Sequence, residues 1–201
     1  MSPRSEEQNA QIKDERREQI LSAALKVFAS RGFAATRISD IVGAGGVSHG
    51  LLYHYFKSKE EIFYELVTRA IYHAGQSLVM VESLPIGPLE KISNTAAYIM
   101  GGIDEGEDSA YYFMIVNHAA MMEAPPEEKA RYLAGSDLPI ATLVKIIAQG
   151  QEAQVIRTGD PLDLAVTFFA AIMGLAVYKL TMPEFRMPDP KILVSMFSKQ
   201  N

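Results

Sequence analysis

The feature that most constrains this chain is a pair of adjacent glycines, Gly45 and Gly46, that lies between two short stretches with helical spacing. Before the glycines, Ile38, Ile41 and Val42 recur at i, i+3 and i+4, which places them on one face of a helix. Glycine tolerates the positive φ that a tight turn between two helices demands. The pattern therefore predicts two short helices joined at a sharp angle.

Residues suited to helix caps mark where these helices begin. Thr36 is placed to cap the first helix and Ser48 the second. Ser58 and Glu61 have the spacing of a capping box and start a further helix that we expect to run toward Tyr72. The order of cap, helix, glycine turn, cap and aromatic-rich helix is that of a helix-turn-helix unit, whose second helix enters the DNA major groove.

Apolar residues at helical spacing also precede this unit, and Gly32 is expected to end the helix they form. They are Ile20, Leu21, Ala24, Leu25 and Phe28. In the second helix of the unit, Leu52 and Phe56 share one face by i, i+4 spacing. Three helices can thus bury a small common core.

Two strings carry a resemblance to a known family: I-L-S-A-A-L-K-V-F-A-S-R-G-F-A-A-T and I-V-G-A-G-G-V-S-H-G-L-L-Y-H-Y-F-K-S-K-E-E-I-F. They resemble the N-terminal domain of the TetR (tetracycline repressor-like) family of bacterial transcriptional regulators, over roughly Glu18 to Leu66. The chain departs from the family pattern at Gly45, where alanine is usual. We expect this glycine to loosen the last turn of its helix by roughly 0.5–1 kcal/mol without changing the fold.

The resemblance also implies which residues face DNA. Positions that contact the phosphate backbone correspond to Thr36, Tyr53 and Lys59, with Ser48, Tyr55 and Lys57 as further candidates. Positions that face base edges correspond to His49, Gly50, Leu51 and His54. Leu51 suggests apolar contact with a thymine methyl group. The alternative is that the aromatic residues of this segment only pack against the next helix.

The charge distribution indicates where a DNA-binding surface can lie, and the cysteine content excludes some classes of site. The net charge is −5, yet residues 1–60 hold nine Lys/Arg against seven Asp/Glu, a balance of +2, which leaves −7 for the remainder. A basic footprint is therefore expected to be local to the N-terminal part. The chain contains no cysteine, which removes disulfides and thiolate metal sites and fits a reducing cytoplasm.

Beyond residue 66, proline and glycine punctuate a succession of helical patterns, and nothing is typical of a strand. Breaks are expected at Pro85–Pro88, Gly101-Gly102, Pro125-Pro126, Thr158-Gly159 and Pro183–Pro188. We predict an all-α protein with a mobile N-terminal tail (1–13), a three-helix helix-turn-helix DNA-binding domain (14–66) and an all-helical ligand-sensing and dimerisation domain (67–201).

Two segments of the second domain, Asp137 to Gln154 and Asp160 to Thr181, have the strongest helical patterns. The second is apolar around much of its circumference, so we expect it to be buried on two sides, against its own domain and against a second copy. The predicted homodimer interface comprises Leu164, Phe168, Ala171, Ile172 and Leu175. The alternative is the centre of a monomeric core. The apolar run is shorter than the roughly 20 residues of a membrane span, so no membrane partner is expected.

Flexible and aromatic side chains collect in the middle of the second domain and suit a mostly apolar pocket with a few polar groups. The predicted ligand-binding residues are Tyr98, Met100, Phe113, Met114, Asn117, His118, Met121 and Met122. The alternative is that these residues are plain core. The effector is expected to be small and apolar or amphipathic. We expect no cofactor and no metal site.

These patterns together predict a sequence-specific regulator that binds double-stranded operator DNA and is released by a small ligand, as a repressor. The fourth helix is the expected lever, because it starts beside the DNA-contacting residues and leads into the sensor domain. The alternative is a DNA-binding dimer whose second domain responds to a protein partner or to no effector. An enzyme is not expected, because no nucleophile elbow, phosphate loop or paired metal motif is present.

Overall fold

The computed structural model describes residues 4–199, which form ten helices and no strand. The helices are α1 (Arg4–Ala35), α2 (Ile38–Gly45), α3 (His49–Tyr55), α4 (Lys59–Ser83), α5 (Pro88–Glu105), α6 (Glu107–Met121), α7 (Pro126–Tyr132), α8 (Leu138–Glu152), α9 (Pro161–Thr181) and α10 (Pro190–Ser195). The all-α prediction is confirmed.

The N-terminal helices pack around the residues that helical spacing predicted. One buried cluster contains Leu25 and Phe28 of α1, Ile41 of α2, Leu52 of α3 and Phe56, which directly follows α3. The predicted stop in α1 is visible as a break in helical geometry at its glycine, where φ is +74°.

The N-terminal boundary differs from the prediction. Residues 4–13 are helical and continue into α1, where we expected a mobile tail, and residues 1–3 lie outside the described residues. Most residues in this segment are intrinsically good helix formers, such as Glu, Gln, Ala and Lys. A helix that is already packed further along the chain can therefore extend backwards through residues of high helix propensity.

The glycine turn forms as predicted, but the predicted cap of α2 at Thr36 does not. Gly46 adopts a left-handed conformation with φ +60°, and its N–H donates to the carbonyl of Val42. The N-cap of α2 is Arg37 rather than Thr36, and the Arg37 backbone N–H donates to the Asp40 carboxylate at 2.8 Å. The carboxylate supplies the cap because it lies three residues into the helix, within reach of that N–H.

Gly45 is held by α1 more closely than the sequence indicated. A Cβ at this position would lie 3.1 Å from the Cβ of Ala23, which is tighter than ordinary packing. The Gln19 amide donates to the Gly45 carbonyl at 2.8 Å. The glycine therefore permits a close approach of α1 and α2, and its cost to helix propensity is offset by that packing.

The fourth helix is longer than predicted and extends eleven residues past Tyr72 to Ser83. It crosses α8, and Gly75 lies at the crossing: a Cβ there would lie 2.9 Å from Cδ2 of Leu138. A second correction concerns α5, which continues through Gly101 and Gly102 and ends at Glu105. Packing against neighbouring helices holds both glycine-containing segments helical, in place of the breaks that propensity favours.

Two buried clusters organise the chain, and the first crosses the expected domain boundary. Ile115 and Ala119 of α6 and Tyr132 of α7 belong to the same cluster as the helix-turn-helix core. The second cluster joins α5, α8, α9 and the C-terminal segment around Phe168 and Phe197. The N-terminal domain is thus packed directly on α6, and α4 is not its only connection to the rest of the chain.

Helix α9 is the one helix in residues 4–199 whose length and hydropathy would allow it to cross a membrane. It is 21 residues long, and its bounds agree with the helix predicted from Asp160 to Thr181. In the fold it packs against α8, α6 and α5, and its Phe168 and Ile172 are fully buried in the second cluster. Its predicted cap forms, with the Asp160 carboxylate accepting from Leu162 N–H at 2.8 Å.

Candidate functional site

The face of α3 opposite the core carries most of the predicted DNA-facing residues. Ser48 caps the helix, and its hydroxyl accepts from Leu51 N–H at 3.1 Å. Leu52 and Phe56 anchor the inner face and are buried. The residues left exposed on the surface are Ser48, His49, Gly50, Tyr53, His54 and Lys57, while Leu51 and Tyr55 are half-buried. A short, fixed helix therefore presents imidazole, phenol and bare backbone to solvent.

Thr36 does not belong to this exposed surface, contrary to our expectation. It is 1% exposed, and its hydroxyl donates to the Gly32 carbonyl at 2.7 Å. The hydrogen bond closes the C-terminal end of α1 after the break at Gly32. Thr36 thus supports the start of α2 from within the core, and it cannot reach a phosphate in this arrangement.

Lys59 is also engaged inside the protein. Its ammonium donates to the carbonyls of Phe33 and Thr36, both at 2.9 Å, and lies 4.3 Å from the ring centroid of Phe33. A lysine at the end of a helix satisfies carbonyls that have no partner within the helix. The side chain therefore ties the first turn of α4 to the end of α1, and any phosphate contact would use its remaining N–H.

Arg37 is an exposed basic residue that the sequence reasoning missed. It stands at the N-cap of α2, beside the helix end that carries partial positive charge. Its neighbour Asp40 is paired with Arg31, at 2.9 Å, and so does not neutralise it. The sequence does indicate this position, because Arg37 directly precedes Ile38, the first apolar residue of the predicted helix. Residue type instead favours Thr36 as the cap.

The second domain contains a cavity of about 660 Å³ between α4, α5, α6 and α9. Most of its lining is apolar, and its largest apolar side chains are Leu78, Ile99, Phe113 and Phe169. Hydrogen-bonding side chains of the lining come from α4, α5 and α6. They are Arg69, His73, Ser77, Tyr98, Glu105, Ser109 and Tyr112. The volume lies within the range of small-molecule sites.

Of the eight predicted ligand-binding residues, only Tyr98 and Phe113 line this cavity. Met100 is buried in the second cluster, whereas Met114 and Met122 pack against the first. Asn117 donates to the Met121 sulfur at 3.8 Å, and Met121 is largely exposed. His118 lies away from the cavity lining, and its Nδ1 is buried without a hydrogen-bond partner in the described residues. Helix α4, expected from the sequence only as a lever, supplies as many lining residues as α5, six each.

Arg69 connects the cavity to the helix-turn-helix domain. Its Nη1 contacts both carboxylate oxygens of Glu18 in α1 at 2.8 Å, and its Nη2 contacts Glu65 at 2.8 Å. The other oxygen of Glu65 pairs with Arg17 of α1. Arg17 in turn lies over the ring of Phe56, 5.0 Å from its centroid. We call these residues, Arg17, Glu18, Phe56, Glu65 and Arg69, the α1–α4 network.

Burial has also shifted two tyrosine pKa values near this region. Burial raises the pKa of Tyr112, against the smaller opposing effect of the nearby Arg69 charge. Burial, together with a hydrogen bond to Glu128 and that residue's charge, raises the pKa of Tyr64 to about 12. Both phenols are therefore neutral hydrogen-bond donors at ordinary pH.

The predicted dimer residues of α9 face inward more than outward. Leu164, Phe168 and Ile172 are buried in the protein's own core, while Ala171 and Leu175 are partly buried. The outward face is nevertheless apolar, and its residues follow helical spacing. They are Leu162, Val166, Ala170, Val177 and Tyr178, all exposed, with Met173 and Gly174 half-buried among them. We call this set the outer face of α9.

A family model described as bacterial regulatory proteins of the tetR family matches residues 20–66. The HTH-type transcriptional repressor KstR2 of Mycolicibacterium smegmatis is 35% identical over 78 residues, which cover 39% of this chain and 38% of the relative. The KstR2 repressor of Mycobacterium tuberculosis strain H37Rv is 46% identical over 52 residues, 26% of each chain. The match thus spans less than two fifths of these curated relatives.

Solved structures extend the likeness of fold to nearly the whole chain. The MbdR regulator from Azoarcus sp. CIB superimposes with a TM-score of 0.76 at 22% identity, covering 90% of this chain and 95% of that one. A structure of AibR in complex with isovaleryl coenzyme A and operator DNA gives 0.74 at 21% identity, covering 91% and 98%. The helical second domain is thus a shared architecture with a divergent sequence.

Proposed function

Because this chain belongs to the TetR family of bacterial regulatory proteins, we propose that it is a homodimeric, sequence-specific DNA-binding regulator that represses transcription until a small amphipathic ligand releases it. The observation that carries the proposal is the two-sided character of α3. Its inner residues are fully buried while its outer face displays Tyr53, His49 and His54 around an exposed Gly50. Such a helix meets the requirement for reading the major groove.

The outer face supports a division of roles among its residues. Tyr53 and Lys57 are exposed and can donate to phosphate oxygens, as can Arg37 at the start of α2. His49 and His54 carry ring nitrogens that can bond base edges, and half-buried Leu51 offers a methyl-sized apolar contact. Thr36 and Lys59 hold these helices in place from behind.

The proposed dimer uses the outer face of α9. A soluble monomer rarely leaves so continuous an apolar stripe in water, and small residues such as Ala170 and Gly174 allow close helix approach. Pairing around a two-fold axis would place two copies of α3 at half-sites about one DNA turn, roughly 34–36 Å, apart. In this dimer, a second copy of the chain covers the apolar outer face of α9, which therefore needs no membrane to cover it.

The cavity favours a small-molecule effector over a protein partner. It is mostly apolar, has a volume of about 660 Å³, and is bordered by α4, the helix that begins directly after α3. A ligand can change operator affinity only by the factor by which it prefers one arrangement of the two domains. The structure of AibR, whose fold this chain shares, is a complex with isovaleryl coenzyme A and operator DNA, which supports the proposal that this fold can combine a ligand site with a DNA-binding site.

The test is a titration of the full-length protein with DNA fragments from beside its own coding region, at several salt concentrations. We expect tight binding to one pseudo-palindromic fragment, with affinity that falls steeply as salt rises. Tyr53→Phe and Lys57→Ala should each weaken binding, and Lys57→Ala should also flatten the salt dependence. Weak binding that is equal for all fragments and both variants would contradict the proposal.

A further inference from the structure

The ion pairs around Arg69 raise the question of why a cavity-lining arginine is bonded to the other domain. Arg69 is the residue of the α1–α4 network that also lines the cavity. Glu18, its partner on α1, is 57% exposed, whereas Glu65, its partner on α4 itself, is 21% exposed. The contact that joins α4 to α1 is therefore the more solvated of the two.

Solvation makes the Arg69–Glu18 contact replaceable. An ion pair in high dielectric gains little and is easily exchanged for another anion of similar geometry. The guanidinium offers five N–H groups in a fixed fork that suits carboxylates. Nε of Arg69 takes part in neither of the two glutamate contacts. A carboxylate that arrives from the cavity can thus bind Arg69 without first breaking its bond to Glu65.

The rest of the lining indicates what such a ligand looks like. Tyr112 and Ser109 add neutral hydroxyl donors, and Arg69 is close enough to Tyr112 for its charge to influence the phenol. Leu78, Phe113 and Phe169 supply apolar surface. Arg69 and two hydroxyl groups line a mostly apolar cavity that also contains the Glu105 carboxylate. The donors suit an anionic head group attached to an apolar body.

We propose that the cavity takes an amphipathic carboxylate whose head group binds Arg69 in place of Glu18, and that this exchange loosens α1 from α4. The inference rests on the proposed function, since it names the ligand class and the coupling contact of that regulator. Glu65 is shared between Arg69 and Arg17, and Arg17 lies over Phe56 at the end of α3. A shift of Arg69 toward the ligand would therefore displace Glu65 and Arg17. Through Arg17 it would change the packing of Phe56, which anchors the DNA-reading helix.

The first experiment titrates the full-length protein with decanoate, decan-1-ol and decyltrimethylammonium in a calorimeter, and separately measures operator binding with each probe present. We expect decanoate to bind and to weaken operator binding, decan-1-ol to bind at least tenfold more weakly, and the ammonium to have no effect. Equal binding of decanoate and decan-1-ol would overturn the carboxylate assignment, as would failure of decanoate to bind.

Variants of Arg69 and Glu18, each with a control at another residue, test the proposed contact. Arg69→Gln should lose at least tenfold in decanoate affinity, and Arg69→Lys should lose less, whereas Arg131→Gln, an exposed arginine on α7, should bind as wild type. Glu18→Gln should raise decanoate affinity and lower ligand-free operator affinity, each about two- to fivefold. Glu15→Gln, one turn earlier on α1, is its matched control. Unchanged affinities in Glu18→Gln would overturn the exchange.

The outcomes separate this inference from the proposed function. A protein that binds its operator but not decanoate remains a regulator with a different ligand, and only the inference fails. A protein that binds decanoate through Arg69 but binds no DNA site specifically contradicts the proposed function. Circular dichroism melting curves of each variant establish that an observed loss does not come from unfolding.

Discussion

The ammonium of Lys59 donates to the backbone carbonyl of Phe33 at 2.9 Å and lies 4.3 Å from the centroid of the same residue's ring. The first turn of α4 is thereby fastened to the last turn of α1. The same ammonium also bonds the Thr36 carbonyl. A residue that the family pattern suggested for phosphate contact is therefore part of the frame that fixes α2 and α3.

Replacing Lys59 with methionine is expected to lower the free energy of unfolding by about 1.5–3 kcal/mol, because two backbone carbonyls lose their hydrogen bonds to a charged donor. The measurement is urea unfolding followed by circular dichroism. Lys57→Met is the matched control: its side chain is exposed, and we expect a stability change within about 0.5 kcal/mol. Equal stability of the two variants would contradict the conclusion that Lys59 fastens α4 to α1.

Gly50 offers a test in which stability and DNA binding change in opposite directions. A Cβ at this position meets only the Ser48 hydroxyl at 4.0 Å, so Gly50→Ala should fit and should stabilise α3 by roughly 0.5–1 kcal/mol. The added methyl group would nevertheless separate the helix backbone from the groove. We expect operator affinity to fall about tenfold or more, a cost of roughly 1.4 kcal/mol.

The control for this variant is Gly43→Ala, at another exposed helical glycine with open space for a Cβ. It should gain similar stability and keep wild-type operator affinity. If Gly50→Ala also keeps wild-type affinity in the titration, close approach of this backbone to DNA is not part of the interface.

Features set by a few neighbouring residues were predictable from the sequence. The caps at Ser48 and Asp160 and the left-handed Gly46 depend on hydrogen bonds within four residues of each position. Spacing alone therefore placed them correctly. The internal contacts of Thr36 and Lys59 could not be predicted in this way: Thr36 is buried by the tertiary fold, and Lys59 reaches carbonyls more than twenty residues away.

The cavity and the outer face of α9 were harder to predict for a different reason. Arg69 and His73 line the cavity because α4 crosses the second domain, and no pattern within α4 distinguishes a cavity wall from a solvated face. In α9 both faces are apolar, so periodicity could not tell Phe168, which faces the core, from Val166, which faces outward. Their difference arises from packing against α8 and α6.

The pKa of Tyr64 predicts a contribution to stability that is lost at alkaline pH. Its ring stacks on Tyr132 with centroids 4.5 Å apart, and its folded-state pKa is about 12 against an ordinary value of 10.0. Between these two values the unfolded chain releases the phenolic proton while the folded chain retains it. The contribution is thus fully present below pH 10.0 and decreases as pH rises through about 12.

Urea unfolding at a series of pH values across this window checks the prediction. Tyr64→Phe should lose less stability than wild type as pH rises, because phenylalanine has no proton to release. Tyr72→Phe serves as control, since that ring is 61% exposed and should leave the wild-type pH dependence intact. Parallel curves for Tyr64→Phe and wild type would refute the assignment.

The two faces of α9 predict two distinct mutant phenotypes. Val166 is 47% exposed on the outer face, so Val166→Glu should fold normally but place two buried carboxylates against each other in the dimer. We expect a monomer at micromolar concentration by light scattering, with loss of tight operator binding because only one half-site can be held at a time. Phe168→Ala should instead remove core packing and cost about 3–5 kcal/mol of stability.

Met80→Glu is the control for the outer face of α9, because Met80 is 69% exposed on α4 and lies off that face. It should remain dimeric with wild-type operator affinity. A Val166→Glu protein that stays dimeric would place the interface elsewhere and leave the outer face of α9 without a covering partner. A monomeric Val166→Glu protein that still binds operator tightly would show instead that a single α3 suffices, since dimer spacing would then add nothing to recognition.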